Sequence, residues 1–124
     1  MKLSEYFEAT KGIGVLATAN KEGIVDVALY ARPHFIDEET VAFIMADRLS
    51  HKNIESNPHA AYIFIESGEG YSGKRLYLTK INEEKDSPLI ETLIRKKYPP
   101  EKYGSEPKYL VYFKIDRIRP LIGD

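Results

Sequence analysis

Apolar residues along this chain fall mainly into short runs and alternations separated by turn residues, the pattern of strands rather than long helices. The N-terminus is the first exception. Residues 3–10 predict a short helix, with Ser4 as N-cap and Tyr6 and Phe7 available for burial. Ile13 to Ala19 then reads as a strand, and Asn20 to Gly23 as a turn with a glycine suited to positive φ. The run Ile24 to Arg32 alternates, with Val25, Val27, Leu29 and Ala31 on one face and Asp26, Tyr30 and Arg32 on the other. Pro33 interrupts it and predicts an edge position or a bend, because proline cannot donate a ladder hydrogen bond. His34 to Ile36 continues the sheet, Asp37 to Glu39 turns, and Val41 to Ala46 is a further strand.

Asp47 to Asn57 is the first polar stretch of helical length within this region, and Asn57-Pro58 ends it. Ala60 to Glu66 is a strongly apolar strand, Ser67 to Gly73 a glycine-rich loop, and Lys74 to Ile81 a strand with Leu76 and Leu78 on one face. Ser87 caps a helix that has Pro88 at its first position and Leu89, Ile90, Leu93 and Ile94 as its apolar stripe. Arg95, Lys96 and Lys97 complement the C-terminal end of its dipole. Pro99 to Pro107 reads as a polar loop, Tyr109 to Ile115 as a long strand and Ile118 to Ile122 as a short one. The sum is about seven strands with one long and two short helices, a mainly β, antiparallel barrel in a single domain spanning residues 1–124.

Composition narrows the chemistry. A net charge of −1 gives no basic excess for phosphate-backbone binding, so nucleic acid is not an expected partner. The absence of cysteine removes disulfides, thiolate nucleophiles and zinc–thiolate sites together, so any redox work requires a bound cofactor. The N-terminal residues lack the apolar stretch of an export signal, and no apolar run approaches membrane length; a cytoplasmic protein that does not engage membranes is expected. His34, His51 and His59 lack metal-ligand spacing, and no metal is expected.

Three segments carry candidate chemistry. Met45 to Asn53 leaves a strand and enters a helix, with Arg48, Ser50, His51 and Lys52 clustered where helical N–H groups are unpaired. That assembly suits a phosphate; an ordinary capped helix with solvated cations is the alternative. In Val27 to Arg32, the small residues Ala28 and Ala31 would let a flat ring approach backbone donors and acceptors, or would simply fill a tight barrel interior. In Gly70 to Tyr77, Arg75 could reach a ring edge or a phosphate, or could belong to the basic rim of a hairpin.

In order and spacing these segments resemble the pyridoxamine 5′-phosphate oxidase-like family of FMN-binding split barrels. The likeness runs over about residues 5–122 and is most specific where Asn57-Pro58 follows a basic helix start and precedes the apolar strand Ala60 to Ile65. The resemblance implies a split barrel of six to eight mostly antiparallel strands flanked by two or three helices. It further implies a homodimer with FMN at its interface, and a flavin-dependent oxidoreductase or electron carrier. By the same resemblance Ala28, Leu29, Tyr30, Ala31 and Arg32 would contact the isoalloxazine ring, and Arg48, Leu49, Ser50, His51 and Lys52 would surround the phosphate. Arg75 would occupy a polar position near the ring. Lys52 directly abuts Asn53, closer than in the family pattern, so Arg48 and Ser50 are assigned to the phosphate ahead of Lys52. The chain has no tryptophan and lacks the C-terminal signature of true pyridoxamine phosphate oxidases, so that activity is not expected. A barrel holding haem or a deazaflavin, or sensing flavin without catalysis, is the alternative.

Overall fold

The computed structural model describes residues 1–95 and 107–123. Its elements run in chain order as α1 (Leu3–Ala9), β1 (Gly12–Ala19), β2 (Val25–Leu29), β3 (His34–Phe35), β4 (Thr40–Ala46), α2 (Leu49–Ser56), β5 (His59–Glu66), β6 (Gly73–Lys85), α3 (Pro88–Arg95) and β7 (Lys108–Pro120). The strands form one antiparallel sheet in the order β2-β1-β5-β6-β7-β4-β3. The Asn20 turn sets the first hairpin: its side-chain oxygen accepts from the N–H groups of Glu22 and Ile24, and Gly23 takes φ 82°. Curvature brings the inner residues of distant strands into one core of Leu16, Phe43, Tyr62, Phe64, Leu76, Leu78, Val111 and Phe113, to which α1 adds Phe7. A second cluster of Ala42, Leu110 and Ile90 seats α3 on the opposite face of β4 and β7.

The barrel is split because its edge strands β2 and β3 do not pair with each other. Helix α2 lies across the opening, in contact with β1, β2 and β4. Its buried face is Ser50, His51, Asn53 and Ile54, three polar residues and one apolar. Buried polar groups are costly unless bonded. Asn53 Nδ2 donates to Thr18 Oγ1 at 3.0 Å, and the Ser50 hydroxyl is hydrogen-bonded to the Tyr30 phenol. The His51 ring stacks on Tyr109 with centroids 3.8 Å apart, and its Nε2 lies 3.0 and 3.2 Å from the two carboxylate oxygens of Glu83. Strands β1, β6 and β7 and the segment after β2 thus grip one two-turn helix.

Several boundaries differ from the sequence expectation. Strand β6 runs on through Asn82, Glu83 and Glu84, whose polarity resembles a loop, because this stretch pairs with β7 from Tyr109 to Tyr112 and carries the partner of His51. The two expected C-terminal strands are one, β7, with a register shift opposite Tyr77 and Leu78 that absorbs Asp116. Lys2, not Ser4, is the N-cap of α1, and the Ser4 N–H is bonded to Glu38 instead. Ser87 does cap α3, its Oγ accepting from the Leu89 N–H. Ile90 and Leu93 face inward there while Leu89 is exposed. The side chains of Ile94 and Arg95, along with Lys96, Lys97 and residues 99–106 of the expected polar loop, lie outside the described residues. The alternation in β2 is present, but Val25, Val27 and Leu29 are 77%, 67% and 75% exposed, because β2 is an edge whose apolar side forms the outer surface. No helix among the described residues is long and apolar enough to cross a membrane.

Glu83 makes the seat of α2 pH-sensitive. Burial alone would raise its carboxyl, but hydrogen bonds from Lys80 and His51 outweigh burial and hold it below its ordinary value of 4.5. A carboxyl depressed in the folded state contributes stability that is fully present above 4.5 and is lost as pH falls through the lower folded value. Glu83→Gln is therefore expected to lower stability at neutral pH by about 1–2 kcal/mol. Chemical denaturation across a pH series checks it. The gap between wild type and variant should close below 4.5, and a gap independent of pH would show that charge at Glu83 does not hold the helix.

Candidate functional site

The segment after β2 is held from beneath. Tyr62 of β5 is 1% exposed, and its hydroxyl donates to the carbonyl of Ala31 at 3.1 Å, with the carbonyl of Tyr30 at 3.4 Å. The Tyr30 N–H is bonded to the Gly14 carbonyl at 3.0 Å. A side chain at Gly14 would overlap the Tyr62 hydroxyl and crowd the Tyr30 carbonyl, so glycine is required there by close approach. Residues 30–31 are thereby fixed although they lie beyond the last residue of β2. Tyr62 was not among the expected site residues. Its signal was a tyrosine inside the apolar run Ala60 to Ile65, since a buried phenol needs a partner.

The expected ring-binding residues divide by direction. Ala28 and Tyr30 turn toward the barrel, Leu29 and Ala31 are exposed, and Tyr30 packs edge-on against Phe43. Burial, the largest effect, raises the Tyr30 phenol above its ordinary value of 10.0; the Ser50 hydroxyl opposes this and Asp26 adds to it. The phenol therefore stays protonated at neutral pH. Arg32 Nη1 donates to the carbonyls of Phe7 and Thr10 at 2.8 and 3.0 Å, at the C-terminal end of α1. One guanidinium nitrogen thus ties α1 to the strand connection.

The expected phosphate residues also divide. Arg48, Leu49 and Lys52 are exposed at the start of α2, while Ser50 and His51 face inward. With an ionised Glu83 as acceptor, His51 Nε2 is the donor. Its Nδ1 is buried without a hydrogen-bond partner and lies 3.6 Å from carboxylate oxygens of both Asp47 and Glu55. That distance is too long for a hydrogen bond but short enough for charge to matter. Three carboxylates around the ring make its immediate surroundings unfavourable to an anion.

The first and second segments meet at a cavity of about 280 Å³. Leu29, Tyr30, Ala31 and Arg32 line it from the β2 edge and the segment after it, Phe43, Ile44 and Ala46 from β4, and His34, Leu93 and Lys108 complete it. Ala46 is two residues before Arg48, so the wall leads from the β2 edge to the start of α2. A smaller cavity of about 180 Å³ adjoins it through Arg32, His34 and Leu93. Arg75 is elsewhere. It pairs with Ile63 across β5 and β6, and its Nε donates to the Pro120 carbonyl at 2.8 Å while Nη2 donates to that of Gly123. Leu29, Val15, Ile63 and Arg75 form one row across the sheet, which puts Arg75 three strand spacings, about 14 Å, from Leu29 of the same chain. No cluster of three or more metal-ligating side chains occurs among the described residues.

The sequence matches no protein-family model and no curated protein. The structure does match solved ones. An FMN-binding protein from Syntrophomonas wolfei subsp. wolfei aligns with TM-score 0.80 at 14% identity, over 99% of this chain and 86% of that one. An F420 reductase aligns with TM-score 0.71 at 17% identity, over 96% and 98%. A putative pyridoxamine 5′-phosphate oxidase from Listeria innocua aligns with TM-score 0.66 at 15% identity, over 94% and 93%. At such identities the likeness is one of fold, and the fold of this chain is the split barrel of the pyridoxamine 5′-phosphate oxidase-like, flavin-binding proteins.

Proposed function

We propose that this chain is an FMN-binding flavoprotein with redox activity that works as a homodimer. The observation that carries the reading is the 280 Å³ cavity, whose wall runs from Leu29–Arg32 to Ala46 at the approach to α2. The residues present fit the group. Leu29, Ile44 and Leu93 contribute apolar lining to the cavity. The edge strand β2 and the segment after it offer backbone N–H and C=O groups to the ring's polar edge. Arg48, Lys52 and the first N–H groups of α2 offer positive charge and donors to a phosphate. The names of the structural neighbours, which include FMN-binding and FAD-binding proteins, support the same reading.

When bound, the flavin supplies the electron transfer itself. The chain's contribution is orientation. Tyr62 and Gly14 fix the wall at residues 30–31, and the protonated Tyr30 links that wall to Ser50. His51 acts on the phosphate only indirectly, by anchoring the first turn of α2 to Glu83.

The dimer reading rests on the outer face. Ile13, Val25, Val27 and Leu29 are 60–77% exposed on neighbouring strands, an apolar patch of the kind that marks an interface. Arg75 lies on the same face, too far from the cavity of its own chain to touch a ring there. Across a twofold contact, Arg75 of one copy would approach the cavity of the other, which is where a guanidinium could favour negative charge on a ring edge. A second reading, in which the same cavity takes a different redox cofactor, rests on the neighbour named an F420 reductase.

Two measurements bear on this. FMN titration followed by flavin fluorescence should give a dissociation constant about a hundredfold weaker for the Arg48→Ala/Lys52→Ala double variant, equivalent to losing two charge-assisted hydrogen bonds. Unchanged affinity would remove the phosphate from the start of α2. Val27→Asp places a charge in the apolar patch; analytical ultracentrifugation should show a folded monomer with reduced FMN retention. A Val27→Asp dimer that keeps its flavin would refute an interface on this face.

A further inference from the structure

Among the described residues, the one buried side-chain nitrogen or oxygen without a hydrogen-bond partner is Nδ1 of His51. The ring that carries it is held from two directions. Its plane stacks on Tyr109 of β7, and Nε2 lies against the Glu83 carboxylate of β6, which Lys80 also bonds at 2.6 Å. Nδ1 faces Asp47 from the segment before α2 and Glu55 from the next turn, each at 3.6 Å. An ionised carboxylate accepts hydrogen bonds and donates none. A bare Nδ1 therefore gains nothing from these neighbours, whereas an Nδ1 carrying a proton has two charged acceptors within a small side-chain rotation. Asp47 and Glu55 are 58% and 54% exposed, so both have room for that rotation.

His51 belongs to the first turn of α2, between the buried Ser50 and the exposed Lys52. Arg48, Lys52 and the first N–H groups of this helix favour an anion, and the carboxylates of Asp47, Glu55 and Glu83 oppose one. A proton on Nδ1 offsets one of those three charges. An anion at the helix start and a proton at Nδ1 therefore favour each other, each raising the affinity for the other by the same factor. Such an anion site is tightest where the ring is charged. It weakens as pH rises through the range in which histidines titrate, about 5 to 8. A phosphate's own second ionisation, at about 6, acts in the opposite direction, because the dianion meets Arg48 and Lys52 more strongly. Glu83, held below its ordinary value of 4.5, titrates outside that range.

We propose that His51 regulates the anion site at the start of α2 by proton linkage: a phosphate bound there is accompanied by one proton, taken from solvent onto Nδ1 and shared with Asp47 and Glu55. His51 is a positioning residue in this scheme, acting on the anion through charge and making no bond to it. That the anion is the phosphate of a flavin rests on the flavin reading.

Nitrogen NMR of the His51 ring across a pH series reads the proton directly. The pH at which Nδ1 gains its proton should rise by about one unit when FMN saturates the protein, a tenfold coupling. Riboflavin, which has the ring without the phosphate, should leave it unmoved. In flavin-fluorescence titrations, wild type should bind FMN about tenfold tighter than His51→Gln near pH 6 and equally well near pH 8. The glutamine amide keeps a donor for Glu83. Asp47→Asn/Glu55→Gln, which alters only the two exposed acceptors, should flatten the pH dependence and tighten FMN binding near pH 8. A protonation midpoint that FMN does not move, or that riboflavin moves as far, would overturn the proposal and leave the flavin reading standing. So would a His51→Gln protein with the pH dependence of wild type. Failure of FMN to bind at any pH would overturn both.

Discussion

A two-turn helix with a polar inner face closes the split in this barrel, and the architecture around it follows from the need to satisfy that face. Ser50, His51 and Asn53 are each less than 10% exposed. Left unbonded, each would cost on the order of 1–3 kcal/mol, a large fraction of a small domain's stability. The partners come from Thr18 on β1, Tyr30 beyond β2 and Glu83 on β6. These bonds constrain more than stability. They hold one face of α2 inward, which leaves Arg48 and Lys52 exposed at the end of β4. An apolar inner face would have packed in several rotations; this polar one fits in one arrangement.

Much of the fold was legible in the sequence. The alternations and turn residues located all seven strands, the order of elements and the Asn57-Pro58 stop, because each depends on local backbone preference. The polar tail of β6 was not legible. Glu83 and Glu84 look like turn residues until β7 is known to pair beside them and His51 to lie within reach, both relations between residues far apart in sequence. Asp116-Arg117 resembles a turn and so predicts two strands, whereas in the single β7 a register shift accommodates the extra residue.

The candidate site was legible in part. The segments at residues 28–32 and 45–53 were found from small residues and clustered cations, and Tyr30 with Ser50 and the cavity wall joins them. Periodicity could not reveal that His51 turns inward among carboxylates, since Leu49, the apolar residue at the helix start, is itself exposed and points to the wrong rotation. Nor could it reveal the holding role of Tyr62, which depends on the absence of a side chain at Gly14 across the β1–β5 pair. In β2, alternation indicated two faces but not which was inner; edge placement decides that, and it leaves the apolar side available to a second copy.

The proposed function stands or falls on what binds in the space between the β2 edge and the start of α2. The most direct measurement is mass spectrometry of the small molecule released when the purified protein is denatured. The expected result is the mass of FMN, near one equivalent per chain. Recovery of haem or of another cofactor instead, or of nothing from protein that also leaves added FMN free, would contradict it.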